Sequence, residues 1–133
     1  MEPLPKLAAQ YELTDEEQHM LLYMADHEDN SSIEGLQAVM QVAINRLTSE
    51  KFPSTLADVL FQPRQFYVMS QYSSNYEPSE EAEEALHRLL YSDNIFAGEE
   101  ALFFAASRVK PSNIARGLYI IVEIGGTRFW GQD

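Results

Sequence analysis

The sequence contains no cysteine, which excludes disulfide bonds, thiolate metal ligands and a cysteine nucleophile. Basic residues are scarce, since 9 Lys and Arg stand against 21 Asp and Glu, giving a formal net charge of −12. Proteins that bind nucleic acid concentrate positive charge, so neither DNA nor RNA is a predicted partner. No apolar run approaches the roughly 18 residues of a membrane span. The first residues lack the basic and apolar regions of an export signal, so no route to another compartment is predicted and the location stays open.

The apolar content is sufficient for one compact domain. The 133 residues are 45% hydrophobic and 11% aromatic, which supports a single core and leaves no room for a second domain of ordinary size. We predict an N-terminal arm at residues 1–12, which contains two prolines, and one domain at residues 13–133.

Two capping boxes locate the first helices. Thr14 and Glu17 predict a helix whose apolar side ends in a carboxylate, Glu28. Ser31 and Glu34 predict a second helix. Its apolar positions repeat with helical spacing at Leu36, Val39, Met40, Ala43, Ile44 and Leu47. A separate line of amides flanks this stripe and consists of Gln37, Gln41 and Asn45.

Two more helices are predicted further along the chain. Ser54 or Thr55 caps a short one, after which residues 61–76, rich in aromatics without a clear period, are interpreted as a long ordered loop. Residues 79–92 form a helix with acidic first turns. We interpret its acidic side as a solvated face, and it is also a candidate surface for a protein partner.

The last third of the chain has the composition of β-strands. Residues 101–105 and 118–124 are rich in aromatic and β-branched side chains. Gly125 and Gly126 precede a further such stretch and predict a two-residue hairpin. Helices first and a small antiparallel sheet last indicate an α+β fold.

Glu28 is the residue whose position best suits acid chemistry. Partial burial and the negative end of a helix dipole both disfavour a charged carboxylate, so the pKa of Glu28 is expected to rise. A carboxyl that stays protonated near neutral pH can protonate the oxygen of a breaking glycosidic bond. The alternative is an ordinary surface residue within the acidic run 26–29, and spacing alone does not decide between the two.

Several stretches together resemble one known family, the SleB/CwlJ-type cell wall hydrolases, which include the spore cortex-lytic enzymes and their phage relatives. The resemblance covers about residues 15–131. The similar stretches are residues 21–28, 33–47, 52–53, 56–66, 103–104 and 121–129.

The resemblance implies a lysozyme-like single domain that cleaves peptidoglycan between N-acetylmuramic acid and N-acetylglucosamine, in characterised relatives as a lytic transglycosylase. One glutamate, here Glu28, would give its proton to the leaving oxygen and then accept the proton of the muramyl 6-hydroxyl. Such a mechanism needs no cofactor and no second carboxylate.

The loop after the first helix departs from the family pattern. The family usually carries a second glutamate there, whereas this chain reads Glu28-Asp29-Asn30-Ser31-Ser32. Placing Glu28 on the catalytic position requires a one-residue gap, and an ungapped alignment places His27 there instead. We prefer the gap because it puts a carboxyl where the chemistry needs one. Asp26, Asp29 and His27 are candidate helpers.

Four residues are candidates for binding the glycan: Asn45, Gln41, Tyr67 and Tyr72. Amides can donate to and accept from sugar hydroxyls and acetamido groups, and tyrosine rings can stack on sugar faces. Among the amides we favour Asn45 and expect the glutamines to be solvated. His19, His27 and His87 form no metal-binding pattern, so no metal is predicted.

Two other functions stay open at this stage. The altered loop and the acidic surface also fit a catalytically inactive module that binds peptidoglycan or another protein. Net charge alone supports an acidic protein that docks on a basic partner. The sequence does not distinguish vegetative wall from spore cortex or host from phage, and action is expected at the wall or cortex or after delivery by a phage.

Overall fold

A computed structural model describes residues 13–28, 32–47, 49–62, 66–91, 100–106, 118–124 and 126–132. The predicted arm 1–12, Asp29 and Gly125 lie outside these ranges. The described elements run from helices to strands along the chain. They are α1 (Asp15–Glu28), α2 (Ile33–Leu47), α3 (Leu56–Leu60), a 3-10 helix (Tyr67–Gln71), α4 (Glu80–Tyr91), β1 (Phe103–Ala106), β2 (Leu118–Ile124) and β3 (Thr127–Gln132). The predicted α+β order is thereby confirmed.

Helix α1 begins at the predicted capping box. The Thr14 hydroxyl accepts from the Glu17 amide at 3.0 Å, and Glu17 Oε1 accepts from the Thr14 amide at 3.2 Å. The other Glu17 oxygen accepts from the Ala57 amide at 3.3 Å, which joins α1 to α3. All six residues from Met20 to Ala25 are buried, so the middle of α1 is enclosed on every side rather than along one apolar stripe.

Helix α2 is the centre of the fold. Every residue from Gly35 to Arg46 is buried, and the helix packs against α1, α3 and α4 and also contacts β1 and β2. Ser32 supplies its cap, since the Ser32 hydroxyl accepts from the Gly35 amide at 2.9 Å. Ser31, the predicted capping residue, lies outside the described ranges.

Two predictions for the middle of the chain are confirmed, and one is corrected. Thr55 caps α3 by accepting from the Asp58 amide at 3.2 Å, and α4 begins directly after Ser79. Residues 61–76 are not loop throughout, because the 3-10 helix lies within them. Its five residues form less than two turns, too short a run for periodicity to be detected in the sequence.

The strands form one antiparallel sheet in the order β1-β3-β2. Ile124 pairs with Thr127, so β2 and β3 are joined by the predicted two-residue hairpin. The pairing shifts between Ile120 and Val122, where β2 has an irregularity. Phe129 on the central strand β3 is fully buried and brings this side of the sheet into the core.

The Arg46 side chain connects α2 to the sheet. It is 3% exposed, and its guanidinium lies 4.5 Å from the ring centre of Phe52, 4.8 Å from Phe66 and 5.1 Å from Phe103. Its Nε donates to the Leu102 carbonyl at 2.8 Å, whereas Nη1 has no hydrogen-bond partner in the described part of the chain. Burial lowers the pKa of Arg46 to about 10. Within the described ranges, three ring faces rather than a carboxylate therefore offset the cost of burying this cation.

We expect Arg46→Ala to lower the free energy of unfolding by about 3 kcal/mol, because it removes the ring contacts and leaves a cavity. Arg46→Met retains most of the volume without burying a charge, so it should cost only about 1 kcal/mol. Urea denaturation followed by circular dichroism measures both values. A Met variant as unstable as the Ala variant would show that the charge, not the packed volume, supplies the stabilisation.

Candidate functional site

Side chains along the length of α1, from His19 to Asp26, bind the segment 72–79. His19 Nε2 lies 2.7 Å from the Tyr76 carbonyl and therefore donates to it, while Nδ1 lies 2.6 Å from the Tyr72 hydroxyl. The Tyr23 ring meets both tyrosine rings edge-on, with centroids 5.2 and 5.1 Å away. The segment is thereby fixed along one side of α1.

Asp26 binds the same segment and the start of α4. Its carboxylate accepts from the Tyr76 hydroxyl at 2.7 Å, from the Ser79 amide at 2.9 Å and from the Ser79 hydroxyl at 2.6 Å. Ser79 in turn caps α4 by accepting from the Ala82 amide at 3.0 Å. Burial, followed by the hydrogen bond to Asp26, raises the pKa of Tyr76 to about 12. The structure gives Asp26 a structural task, and its predicted part as a helper in catalysis stays a prediction.

The His27 imidazole is exposed and has a fixed orientation. Its Nδ1 lies 2.7 Å from the Tyr23 carbonyl. The ring stacks on Tyr23 with centroids 4.1 Å apart and planes at 28°, and it also contacts Tyr76 at 5.1 Å.

Two cavities lie beside the end of α1. The first, called the His27 cavity here, has a volume of about 240 Å³ and is lined by Tyr23, His27, Tyr67, Val68, Ser70 and Gln71. The second, called the Asp26 cavity, has a volume of about 420 Å³ and is lined by Asp26, Leu36, Tyr76, Ser79 and Glu81. His27 and Tyr76, whose rings touch, lie in the walls of different cavities. Among the residues that the structure describes, Glu28 lines neither of these two.

Glu28 is the last residue of α1 and is half-buried. Burial raises the pKa of its carboxyl above the ordinary value of 4.5, and the neighbouring charge of His27 opposes this shift. The direction is the one that the sequence predicts for a proton donor. Asp29, which follows it, lies outside the described residues.

The two tyrosines predicted to bind glycan have different surroundings. Tyr67 is 73% exposed at the His27 cavity, so its ring is available to a ligand. Tyr72 is half-buried, with its hydroxyl on His19 and its ring against Tyr23 and Phe61. The contacts of Tyr72 are thus with other residues of the protein, and its predicted part in glycan binding stays a prediction.

The amides of α2 are interior residues, which corrects the expectation that the glutamines are solvated. Gln37, Gln41 and Asn45 are between 1% and 5% exposed. Gln41 Nε2 donates to Asn45 Oδ1 at 2.7 Å, and Asn45 Nδ2 donates to the Ala101 carbonyl at 2.8 Å. Because these amides satisfy polar groups inside the core, Gln41 and Asn45 face the protein rather than a glycan groove.

The acidic helix agrees with its prediction in position and exposure. Glu80, Glu81, Glu83 and Glu84 are exposed on α4, and Arg88 pairs with Glu84 at 3.0 Å and with Glu34 at 3.9 Å. A protein partner for this surface stays a prediction.

No described helix is long and apolar enough to cross a membrane. Within the same residues, no three His, Asp or Glu side chains are grouped closely enough to hold a metal ion.

The sequence did not reveal the link between Asp26 and residues 76–79. These partners are 50 or more positions apart, so no local pattern joins them. The only local signal is Ser79, whose position predicts the start of a helix and not a hydrogen bond to a carboxylate. Likewise, no local pattern around His19 indicates that its two ring nitrogens bind residues 72 and 76.

Comparisons with known proteins agree on one family and one fold. A family model described as Cell Wall Hydrolase matches residues 30–130, beginning two positions after Glu28. The spore cortex-lytic enzyme of Oceanobacillus iheyensis is 42% identical over 53 residues, which are 40% of this chain. The match spans only 19% of that longer enzyme.

Two solved structures share the architecture. The catalytic domain of the germination-specific lytic transglycosylase SleB from Bacillus anthracis superimposes with a TM-score of 0.77 at 25% identity, covering 89% of this chain and 96% of that domain. The catalytic domain of the Bacillus cereus SleB protein gives 0.74 at 22% identity, covering 88% and 91%. The predicted lysozyme-like α+β fold is confirmed.

Asp26→Asn should lower the free energy of unfolding by about 2 kcal/mol, because an amide cannot replace both oxygens that accept from Tyr76 and Ser79. Glu50→Gln, an exposed charge removal in a turn, should change stability by no more than about 0.5 kcal/mol. Urea denaturation of both variants tests this, and equal midpoints would contradict the role given to Asp26.

Glu28→Gln should stabilise the protein at pH 7 relative to the wild type. Because the pKa of Glu28 is raised on folding, the folded state holds this proton where the unfolded state has lost it. Wild-type stability therefore falls as pH rises above 4.5, and the variant escapes this loss. Melting temperatures measured between pH 4.5 and 7 should diverge in favour of the variant. A difference that stays constant over this pH range would refute the raised pKa.

Proposed function

Because this chain belongs to the cell wall hydrolase family, we propose that it cleaves the glycan strands of peptidoglycan. The bond proposed is that between C1 of N-acetylmuramic acid and the oxygen of the following N-acetylglucosamine. Two of the similar proteins support this proposal by their activity: one is a spore cortex-lytic enzyme and the other a lytic transglycosylase. Their activities are the basis for proposing a lytic transglycosylase here.

Glu28 carries the proton in the proposed reaction. Its protonated carboxyl gives a proton to the glycosidic oxygen as the C1–O bond breaks, and the sugar takes positive charge at C1. The muramyl 6-hydroxyl oxygen then bonds to C1 and releases its proton to the Glu28 carboxylate. The products are a 1,6-anhydro end and a free 4-hydroxyl, and Glu28 is protonated again.

The observation that supports Glu28 is its half-buried position at the end of α1, where burial raises its pKa. A proton donor must stay protonated near the pH of the reaction, and an exposed glutamate does not. One carboxyl group suffices for both proton transfers. Asp26, the neighbouring carboxylate, is therefore not needed for them, and it already accepts hydrogen bonds from Tyr76 and Ser79.

A second candidate function is glycan binding without cleavage. The observation that favours it is that His27, rather than Glu28, lines a cavity of about 240 Å³ at the end of α1. In an ungapped alignment His27 also takes the place of the catalytic glutamate. A chain with that alignment would keep the fold of the family but would have a histidine in place of the glutamate that donates the proton.

Incubation of the purified chain with peptidoglycan sacculi, followed by mass spectrometry of the released fragments, distinguishes these functions. A 1,6-anhydro end indicates a transglycosylase, a reducing muramic acid end indicates a hydrolase, and bound but uncleaved sacculi indicate the binding module. We expect the anhydro product, in parallel assays on vegetative sacculi and on spore cortex.

Glu28→Gln should reduce the rate of cleavage at least about a hundredfold, while the variant remains folded. Glu34→Gln is the matched control, since Glu34 is an exposed glutamate near the start of α2, and it should cleave at the wild-type rate. If His27→Gln abolishes cleavage and Glu28→Gln does not, the proton donor is assigned to the wrong residue.

A further inference from the structure

The hydrogen bond of His27 determines which of its ring nitrogens can accept. The Tyr23 carbonyl can only accept, so His27 Nδ1 must carry the hydrogen across the 2.7 Å contact. In the neutral imidazole, Nε2 is then the nitrogen with a lone pair. Nε2 makes no hydrogen bond to any other residue that the structure describes. The imidazole thus offers an acceptor at a fixed position on the wall of the His27 cavity.

The 3-10 helix contributes the other four lining residues: Tyr67, Val68, Ser70 and Gln71. Such a helix has three residues per turn, so Tyr67 and Ser70 lie on the same side of it. The Tyr67 ring is 73% exposed, so its face is open to a ligand. The 3-10 helix thus adds a ring face, a hydroxyl and the Gln71 amide to the cavity that the imidazole also lines.

The residues around the cavity match the chemistry of a sugar. They present ring faces, hydroxyls, an amide and an imidazole, and none of the six is a carboxylate, a lysine or an arginine. Sugar hydroxyls and acetamido groups need both acceptors and donors, and the faces of sugar rings pack on aromatic rings. A volume of about 240 Å³ holds about eight water molecules at roughly 30 Å³ each, which gives room for one sugar ring.

The Asp26 cavity has a different character. It is larger, and its lining includes the carboxyl groups of Asp26 and Glu81. The chain carries a net charge of −12, whereas the described lining of the His27 cavity holds no carboxylate, lysine or arginine. A neutral saccharide is thus better matched to the His27 cavity than to its neighbour.

We propose that the His27 cavity is a saccharide subsite for one N-acetylated sugar, which stacks on Tyr67 and donates a hydroxyl hydrogen to His27 Nε2. The choice of ligand rests on the proposed function, since it takes a glycan strand as the substrate. His27 is then a binding residue of this chain, whichever residue moves the proton.

The test is a titration of the full chain with chitotetraose, a soluble and uncharged chain of four N-acetylglucosamine units, followed by NMR. Tyr67→Ala and His27→Phe should each weaken binding by roughly five- to tenfold. The Phe side chain keeps the ring on Tyr23 and removes only the nitrogens. Tyr67→Phe and His27→Gln, which restore a ring face and an acceptor, should bind within about threefold of the wild type.

The chain offers a matched control in His87, which stacks on Tyr91 at 4.8 Å and 29° on α4, in the same arrangement as His27 on Tyr23. His87→Phe should leave binding unchanged. The proposal is overturned if the wild type does not bind chitotetraose, or if Tyr67→Ala or His27→Phe binds as the wild type does.

Cleavage of sacculi, measured on the same preparations, separates this inference from the proposed function. Weakened binding in the two variants with no cleavage by the wild type supports the subsite and refutes the enzyme. Cleavage that depends on Glu28, together with chitotetraose binding unaffected by either variant, supports the enzyme and overturns the subsite.

Discussion

The Asp26 carboxylate determines the arrangement at the end of α1, because three donor groups from two distant residues meet on its two oxygens. It binds the Tyr76 hydroxyl and both the amide and the hydroxyl of Ser79, the residue that caps α4. The Tyr76 ring, held in this way, lies against His27 and forms part of the Asp26 cavity. The Asp26 cavity therefore takes its shape from one part-buried set of hydrogen bonds, and the same set holds the Tyr76 ring against His27.

Arg46 on α2 likewise joins distant parts of the chain, here α2 and the sheet. The cation is enclosed by three phenylalanine rings from different parts of the chain and donates to a carbonyl just before β1. Asn45 donates to the neighbouring Ala101 carbonyl and accepts from Gln41 one turn earlier, so polar side chains near the end of α2 bind the residues just before β1. These contacts orient the sheet, whereas the contacts of Asp26 orient the segment that borders the His27 cavity.

The features that the sequence predicted well are determined by neighbours in the chain. The Thr14 and Glu17 box, the Thr55 cap and the glycine hairpin each depend on residues at most a few positions apart. The burial of Gln37, Gln41 and Asn45 was missed because it depends on what packs around α2, and that is a property of the whole fold. The location of His27 on a cavity depends in turn on the 3-10 helix, whose sequence carries no helical period.

Helix α2 has no exposed residue between Gly35 and Arg46, and this enclosure limits how the sequence can change. On a helix with a free side, half of the positions accept polar or bulky replacements without loss of packing. On α2 nearly every replacement has to fit a space that is already filled, so substitutions are easier to accommodate at exposed residues elsewhere in the fold. Exposed positions outside this enclosure, such as His27 near the end of α1, can instead change their chemistry without disturbing the packing of α2.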